Sequence, residues 1–250
     1  MMKRSGGWLF VSYANEDIAK VRGIRNLLEE KGFKPIMFYL KCMEEGNHDK
    51  ELWSLISREI KARRWFLLAD SPNAQESKWV QDEVGYVRSL PDKEFLTVDL
   101  NGDIHSQLQA VANRTKVFLS YHHGDEELKE RLFQKLIGAD FLVWENSRMA
   151  WVGFEWNAVI AENLRLACEE GFVLALVTER YLRSQDCRHE LKYSMAHSGQ
   201  IVPVIVGDCL ARSLDPLALE LSLFNGLRIG SDPSEEELDR TVRHLLSFFD

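Results

Sequence analysis

The amino-acid sequence predicts an α/β protein built from two tandem domains, each a parallel sheet flanked by helices. Two observations predict this fold class. Short continuous apolar runs alternate with amphipathic helical segments, which is typical of strands buried on both faces of a parallel sheet. The same landmarks also recur at a nearly constant offset along the 250 residues, which indicates an internal duplication. The predicted domains are residues 1–113 and 114–250.

The duplication is visible in short motifs that occur once in each half. The first strand of each half carries Phe-x-Ser-Tyr, in "WLFVSY" and in "KVFLSY". Further along each half come a glycine and then a glutamate in a polar helical segment. The paired landmarks, at offsets of 108, 107 and 107, are Ser12 and Ser120, Gly46 and Gly153, and Glu83 and Glu190.

Each half contains four apolar runs separated by helical patterns. The predicted strands are "WLFV", "PIMFYL", "WFLLA" and "FLTV" in the first half, and "KVFL", "DFLVW", "FVLALV" and "IVPVIV" in the second. The first helix of each half ends just before a glycine, Gly32 or Gly138. After its fourth run the first half has only "IHSQLQAVANRT", whereas the second half continues to a further amphipathic helix. The first domain is therefore predicted to be truncated at its C-terminal end.

Composition excludes several function classes. The net charge of −8 argues against a nucleic-acid surface, which requires a basic face. The four cysteines show neither metal-ligand nor disulfide-framework spacing, and His189 and His197 lack a third ligand, so no metal is expected. No signal peptide is recognised and the apolar runs are too short to span a bilayer. These features predict a cytoplasmic protein.

The order of these motifs resembles that of the Toll/interleukin receptor (TIR) domain. The resemblance rests on the Phe-x-Ser-Tyr strand, an acidic helix, a glycine-containing loop and the Ser-x-Trp-x-x-x-Glu motif, and it covers roughly residues 8–112 and 116–250. It implies a flavodoxin-like fold. Departures from the family pattern are Val80 in place of a common cysteine and Asp186 in place of the tryptophan. The matching positions are Ser77, Trp79 and Glu83 in the first half and Tyr181, Ser184, Cys187 and Glu190 in the second.

The resemblance implies two classes of function. Many prokaryotic and plant TIR domains cleave NAD+ to ADP-ribose or a cyclic relative as an immune signal, so we expect an NAD+ glycohydrolase or ADP-ribosyl cyclase of the bacterial, anti-phage type. NAD+ is then a substrate and no cofactor is needed. Many animal members are non-enzymatic adaptors, so a tandem TIR scaffold is the alternative. A nucleoside ribosyltransferase is a third, weaker interpretation.

Glu83 and Glu190 are the candidate catalytic residues. Nicotinamide leaves as a neutral pyridine, so the main requirement is a carboxylate that stabilises the oxocarbenium-like ribose. Trp79 lies one helical turn before Glu83 and could shield the site from water. Asp186 holds the equivalent position before Glu190. We therefore expect Glu83 to matter more than Glu190.

The remaining candidates bind nucleotide or partners. Ser12 and Ser120 end buried strands, where they face a ligand or satisfy backbone groups of the following turn. Asp17 and Asp125 are expected to cap the helices that follow. A structural role is favoured over a nucleophilic one for the thiol of Cys187. The loops 41–53 and 145–156 are expected to mediate self-association or contacts with other TIR proteins. The candidate nucleotide-binding residues are Ser12, Asn15, Trp79, Ser120, His122, Trp156 and Cys187.

Overall fold

A computed structural model describes residues 6–38, 49–145, 164–166, 168–197, 200–211, 213, 215–246 and 248. These residues form two compact units, one comprising residues 6–111 and the other beginning at residue 112. None of the helices in these ranges is long and apolar enough to cross a membrane.

The first unit is a four-stranded parallel sheet in the order β2-β1-β3-β4, counted over the described residues. Strands alternate with helices along the chain, as expected. A short 3₁₀ turn, Asn15–Asp17, connects β1 to α1. The elements are β1 Trp8–Ser12, α1 Ile18–Glu30, β2 Lys34–Ile36, α2 Asp49–Ala62, β3 Trp65–Asp70, α3 Pro72–Glu76, α4 Lys78–Ser89, β4 Glu94–Asp99 and α5 Ile104–Thr115, within which the division at residue 112 falls.

The second unit has five parallel strands among its described residues, in the order β6-β5-β7-β8-β9. A 3₁₀ turn, His123–Asp125, again follows the first strand. The elements are β5 Lys116–Ser120, α6 Glu126–Gly138, β6 Leu142–Glu145, β7 Phe172–Val177, α7 Glu179–Arg183, α8 Gln185–Ala196, β8 Gln200–Val206, α9 Pro216–Ser222, β9 Leu227–Ile229 and α10 Glu235–Leu246.

Burial explains why the strands are continuous apolar runs. All six residues of β7 are buried, as are all five of β5, because helices cover both faces of the sheet. Helix α1 buries one face only, with Val21, Ile24 and Leu28 turned inward. The expectation of two tandem flavodoxin-like α/β domains is confirmed. The strand Leu227–Ile229 was not predicted, since three residues are too few for a recognisable pattern.

The strand order creates an equivalent crevice in each unit. The first strand lies between the second and the third in both sheets, so the connections leave it in opposite directions. In open parallel sheets ligands bind beyond the carboxyl ends of the strands at this point. Ser12 is the last residue of β1, and Ser120 is the last residue of β5. Both serines therefore lie at the edge where a ligand is expected.

Candidate functional site

A buried serine–glutamate pair lies at the carboxyl edge of the first sheet. The Ser12 hydroxyl donates a hydrogen bond to Oε2 of Glu83, across 71 positions of sequence. The exposed fractions are 1% for Ser12 and 8% for Glu83. Helix α4 holds the glutamate, and the Ser77 side chain caps its first turn by accepting a bond from the Val80 amide. The two candidate residues thus form one site.

The second unit contains the equivalent pair. The Ser120 hydroxyl donates to Oε2 of Glu190 at 2.6 Å. Ser120 is fully buried and Glu190 is 7% exposed. Ser184 caps helix α8 by accepting a bond from the Cys187 amide at 3.3 Å. Sequence reasoning identified the serine and the glutamate of each half separately, and the structure joins them.

Burial determines the electrostatics of the first pair. Loss of solvent around the carboxyl raises the pKa of Glu83 from 4.5 to about 7, and the hydrogen bond from Ser12 opposes this rise. Near neutral pH, Glu83 therefore exchanges between its neutral and ionised forms. A carboxyl group poised in this way is a feature of functional sites.

The second pair has an additional partner, the hydroxyl of Tyr181. Its Oη lies 3.0 Å from Oγ of Ser120, and the Tyr181 side chain is fully buried. Because the one hydroxyl proton of Ser120 goes to Glu190, Tyr181 must donate to Ser120. Burial above all holds the pKa of Tyr181 well above its usual value of 10, so the phenol keeps this proton. Tyr181 was identified from the resemblance alone, without a role in the site.

Trp79 packs against another aromatic side chain of the first unit. Its ring centroid lies 6.2 Å from that of Trp53 on α2, and Trp53 in turn meets Tyr86 edge-on at 5.8 Å. Trp79 is half-buried. It shares a helix face with Glu83 through their spacing of four residues. The tryptophan therefore contributes to the packing of α2 against α4 beside the carboxylate.

The other binding candidates are dispersed. Asn15 is exposed in the 3₁₀ turn after β1. Nδ1 of His122 accepts a bond from the Gly124 amide at 2.9 Å and so caps the corresponding turn of the second unit. Trp156 lies outside the described residues, as do 41–48 and 146–156 of the two predicted contact loops.

Cys187 is a buried thiol in the core of the second unit. It is 4% exposed, and its Sγ donates to the carbonyl oxygen of Tyr121 at 3.5 Å. Burial raises its pKa to about 12. A thiol with this pKa is protonated at physiological pH and does not act as a nucleophile. These contacts support packing as the role of Cys187.

Asp17 and Asp125 do not cap helices through their side chains, contrary to expectation. Both occupy the N-cap position, of α1 and α6 respectively, but neither makes a side-chain capping bond. Each carboxylate instead accepts bonds from the segment that follows the third strand of its unit. The donors are Ser71 and Asn73 for Asp17, and Thr178 and Arg180 for Asp125. Long-range donors prevail over the local amide here. The carboxylates and their donors recur in the two halves at the repeat offset of 107 to 108 residues. This recurrence is the sequence signal that could have indicated the contact.

A cleft of about 490 Å³ opens at the carboxyl edge of the second sheet. Its lining includes Asp125, Thr178, Arg180, Asp208 and Ser231, but neither member of the Ser120–Glu190 pair. Over the described ranges, no group of three or more His, Cys, Asp or Glu side chains is arranged to hold a metal ion.

Comparison with known proteins identifies the family. The family model for the TIR domain matches the chain twice, over residues 9–115 and 117–245. No curated protein matches the chain. A crystal structure of the TIR domain of the Toll-related receptor TRR-2 from Hydra magnipapillata covers 53% of this chain and 96% of its own, with 18% identity and a TM-score of 0.39. The two matches of the family model span nearly the whole sequence. The chain therefore belongs to the TIR domain family and carries two copies of that domain in tandem.

Proposed function

We propose that this tandem TIR protein is an NAD+ glycohydrolase or ADP-ribosyl cyclase, acting in the cytoplasm to make a nucleotide signal in immunity. The observation that carries the proposal is the buried serine–glutamate pair at the carboxyl edge of each sheet. A carboxyl group buried at the expected ligand crevice has no evident role in packing, because burial of an apolar side chain would cost less free energy.

The chemistry requires little beyond such a carboxylate. The bond between the ribose C1′ and the nicotinamide nitrogen breaks, and its electron pair leaves with nicotinamide. The positive charge that develops on the ribose is stabilised by the ionised Glu83 in a site of low dielectric, where the interaction is strong. Water then adds to C1′ and loses a proton to give ADP-ribose. Attack by a nitrogen of the adenine instead gives the cyclic product.

The raised pKa of Glu83 suits this role once substrate is bound. At a pKa of about 7, roughly half of the free enzyme carries the anion at neutral pH. The nicotinamide ring of NAD+ is cationic, and a cation beside a carboxyl group favours its ionised form. Substrate binding therefore increases the fraction of Glu83 that is ionised, which is the reactive form. The Ser12 hydroxyl holds one carboxylate oxygen, Oε2, and we assign the other, Oε1, to the ribose.

The direct test is incubation of the full chain with NAD+. Nicotinamide, ADP-ribose and cyclic ADP-ribose are separated by chromatography over a range of protein concentrations, because TIR enzymes require clustering when their sites form between copies. Glu83→Gln serves as the matched inactive variant, since it keeps the shape of the side chain. We expect release of nicotinamide by the wild type. Absence of release at every concentration, including protein clustered on beads, would falsify the proposal.

A non-enzymatic scaffold is the second candidate. The observation in its favour is that Tyr181, Ser120 and Glu190 form a buried hydrogen-bond network in the second unit. We propose contacts with further copies, or with other TIR proteins, through residues 41–53 and 145–156. A scaffold would assemble with rising concentration in light scattering and release no nicotinamide. Deletion of residues 146–156 would then abolish assembly.

A further inference from the structure

Each unit contains a second carboxylate that repeats together with its serine–glutamate pair, and it is buried in the first unit and partly buried in the second. We infer that Asp17 and Asp125 are positioning residues, which tie the turn after the first strand to the segment after the third and thereby hold the serine–glutamate pair in place. The effect on catalysis rests on the proposed function, whereas the effect on the geometry of the pair does not.

In the first unit both carboxylate oxygens of Asp17 are used. The Ser71 hydroxyl donates to Oδ2, and the Asn73 amide donates to Oδ1 at 2.9 Å. The Ser71 oxygen also accepts a bond from the Ala74 amide at 2.9 Å, so one hydroxyl both caps α3 and holds Asp17. Asp17 is only 8% exposed. Hydrogen bonds to a buried carboxylate are stronger than bonds between neutral groups.

The second unit makes the same contact with different side chains. The Thr178 hydroxyl donates to Oδ2 of Asp125 at 2.6 Å, and Nη1 of Arg180 donates to Oδ1 at 3.0 Å. The Thr178 oxygen also accepts a bond from the Tyr181 amide at 3.1 Å. A hydroxyl on one carboxylate oxygen and a nitrogen donor on the other are thus present in both units. The chemistry persists although both donor residues differ.

A short path of hydrogen bonds leads from each aspartate to the glutamate-bearing helix. Asn73 holds Asp17 with its side chain, and its carbonyl oxygen accepts a bond from the Ser77 amide at 2.9 Å. Ser77 then caps α4, the helix that carries Glu83. The aspartate itself follows Ser12 by five positions. The contact therefore links the segments that bear the two members of the pair.

The path is the same in the second unit. The carbonyl oxygen of Arg180 accepts a bond from the Ser184 amide at 3.0 Å, and Ser184 caps α8, which carries Glu190. A turn that only reversed the chain would not need a buried carboxylate, because burying a charge is costly unless it is used. Both copies of the duplicated unit keep this path although the donor side chains differ, which indicates that the position of the glutamate is what the aspartate maintains.

The test measures the environment of Glu83 in the full chain. Side-chain carboxyl carbon NMR gives the pKa of Glu83 in wild type, in Asp17→Ala and in the matched control Asp70→Ala, whose carboxylate lies at the same edge but bonds Gln75 at the surface. Wild type should titrate at about 7. Loosening of the pair admits water and weakens the bond from Ser12; because burial has the larger effect on the Glu83 pKa, Asp17→Ala should lower this pKa by about 1 unit. The control should leave it unchanged.

A second variant separates the effect of carboxylate position from the effect of its charge. It also tests the inference if Asp17→Ala does not fold. Asn73→Ala removes one bond but keeps the Asp17 charge, and Asn73 is exposed, so the fold should be retained. A fall in the pKa of Glu83 is again expected, with a smaller magnitude. Replacement of Ser71 by Thr and of Asn73 by Arg, the residues of the second unit, should preserve the wild-type pKa. An unchanged pKa in Asn73→Ala and in folded Asp17→Ala would overturn the inference.

Kinetics distinguish this inference from the proposed function. If the chain cleaves NAD+, Asp17→Ala should lower kcat about tenfold and change KM less than about twofold, because misplacement of the carboxylate affects the transition state more than binding. If wild type releases no nicotinamide while the pKa of Glu83 still falls in the variants, the proposed reaction fails and the positioning role stands. Unchanged kcat and pKa in both variants would remove the positioning role alone.

Discussion

The two serine–glutamate sites share a skeleton and differ in what surrounds it. In both, a serine at the end of the first strand donates to a buried glutamate on a serine-capped helix, and a nearby aspartate ties the segments together. The residues around this skeleton have diverged. The differing pairs, first unit against second, are Ala74 and Tyr181, Val80 and Cys187, and Trp79 and Asp186.

The difference assigns the two units unequal roles under the proposed function. Tyr181 gives Ser120 a second partner and closes the second site with a fully buried phenol. Ala74, at the equivalent position of the first unit, has no hydroxyl, and the Glu83 carboxyl, whose pKa burial raises, bonds Ser12. The serine of the second site therefore has a hydroxyl partner that the first site lacks at this position.

The largest effect should come from the two glutamates. Glu83→Gln removes the anion that stabilises the ribose cation and should lower NAD+ cleavage about 100- to 1000-fold. Glu190→Gln should cost about tenfold or less, because Asp186 replaces the tryptophan beside this glutamate and Ser120 is also bonded to Tyr181. Nicotinamide release is measured for both variants, with the exposed Glu76→Gln as the control. Equal losses from Glu83→Gln and Glu190→Gln would contradict the unequal roles.

The pH dependence of cleavage should report Glu83. Only the ionised carboxylate stabilises the cation, so kcat/KM should rise about tenfold per pH unit below about 7 and level off above it. Activity at pH 5 should then be about 100-fold lower than at pH 8. The profile of Glu190→Gln should keep the same midpoint. A flat profile between pH 5 and 8 would exclude Glu83 as the titrating group.

The stability of the wild type should fall with rising pH, opposite to its activity, and Glu83→Gln should remove this dependence. Because folding raises the pKa of Glu83 from 4.5 to about 7, its contribution to stability is fully present below 4.5 and is lost as the pH rises through 7. Glutamine does not ionise. The variant should therefore match wild type near pH 4.5 and exceed it by on the order of 3 kcal/mol at pH 8. Urea denaturation at both pH values measures the free energy of unfolding, and a difference independent of pH would contradict the burial of a charge.

Substitutions at the tyrosine position, Ala74 in the first unit and Tyr181 in the second, should cost stability in both units. Ala74 is 2% exposed and packs with Ala14 and Val80, so Ala74→Tyr should overfill this cluster and destabilise by about 1–3 kcal/mol. Tyr181→Phe removes only the bond to Ser120 and should cost about 1 kcal/mol. Thermal unfolding measures both. Toleration of Ala74→Tyr without loss would show that the first site has room for a tyrosine.

The smallest effect is expected at the cysteine position. Cys187→Val installs the residue type of the first unit, and loss of one weak thiol bond should change stability by less than about 1 kcal/mol. The wild-type thiol, with a pKa of about 12, should react slowly with iodoacetamide at pH 8 in the folded protein. Mass spectrometry of labelled peptides measures this. Rapid labelling of Cys187 in the folded state would show that the site opens.

Much of the fold could be predicted because its physics is local. A strand buried on both faces must be apolar throughout, as β5 and β7 are, whereas β2 and β4 are partly exposed and were visible as largely apolar runs. The offset between repeats identified both glutamates and both serines as equivalent positions. Prediction failed where local rules compete with distant groups. Asp17 and Asp125 occupy the expected capping positions, but their carboxylates turn to donors 53 to 56 residues away.

The sequence by itself determined the duplication, the parallel α/β class and the residues that recur in both halves. These follow from hydrophobic periodicity and from repeated motifs, which neighbouring residues encode. The tertiary structure decided which of those residues meet. The serine–glutamate bonds join positions 70 and 71 residues apart, and Tyr181 reaches Ser120 across 61. Such contacts depend on how strands and helices pack, and the burial that raises the pKa of Glu83 exists only once they have done so.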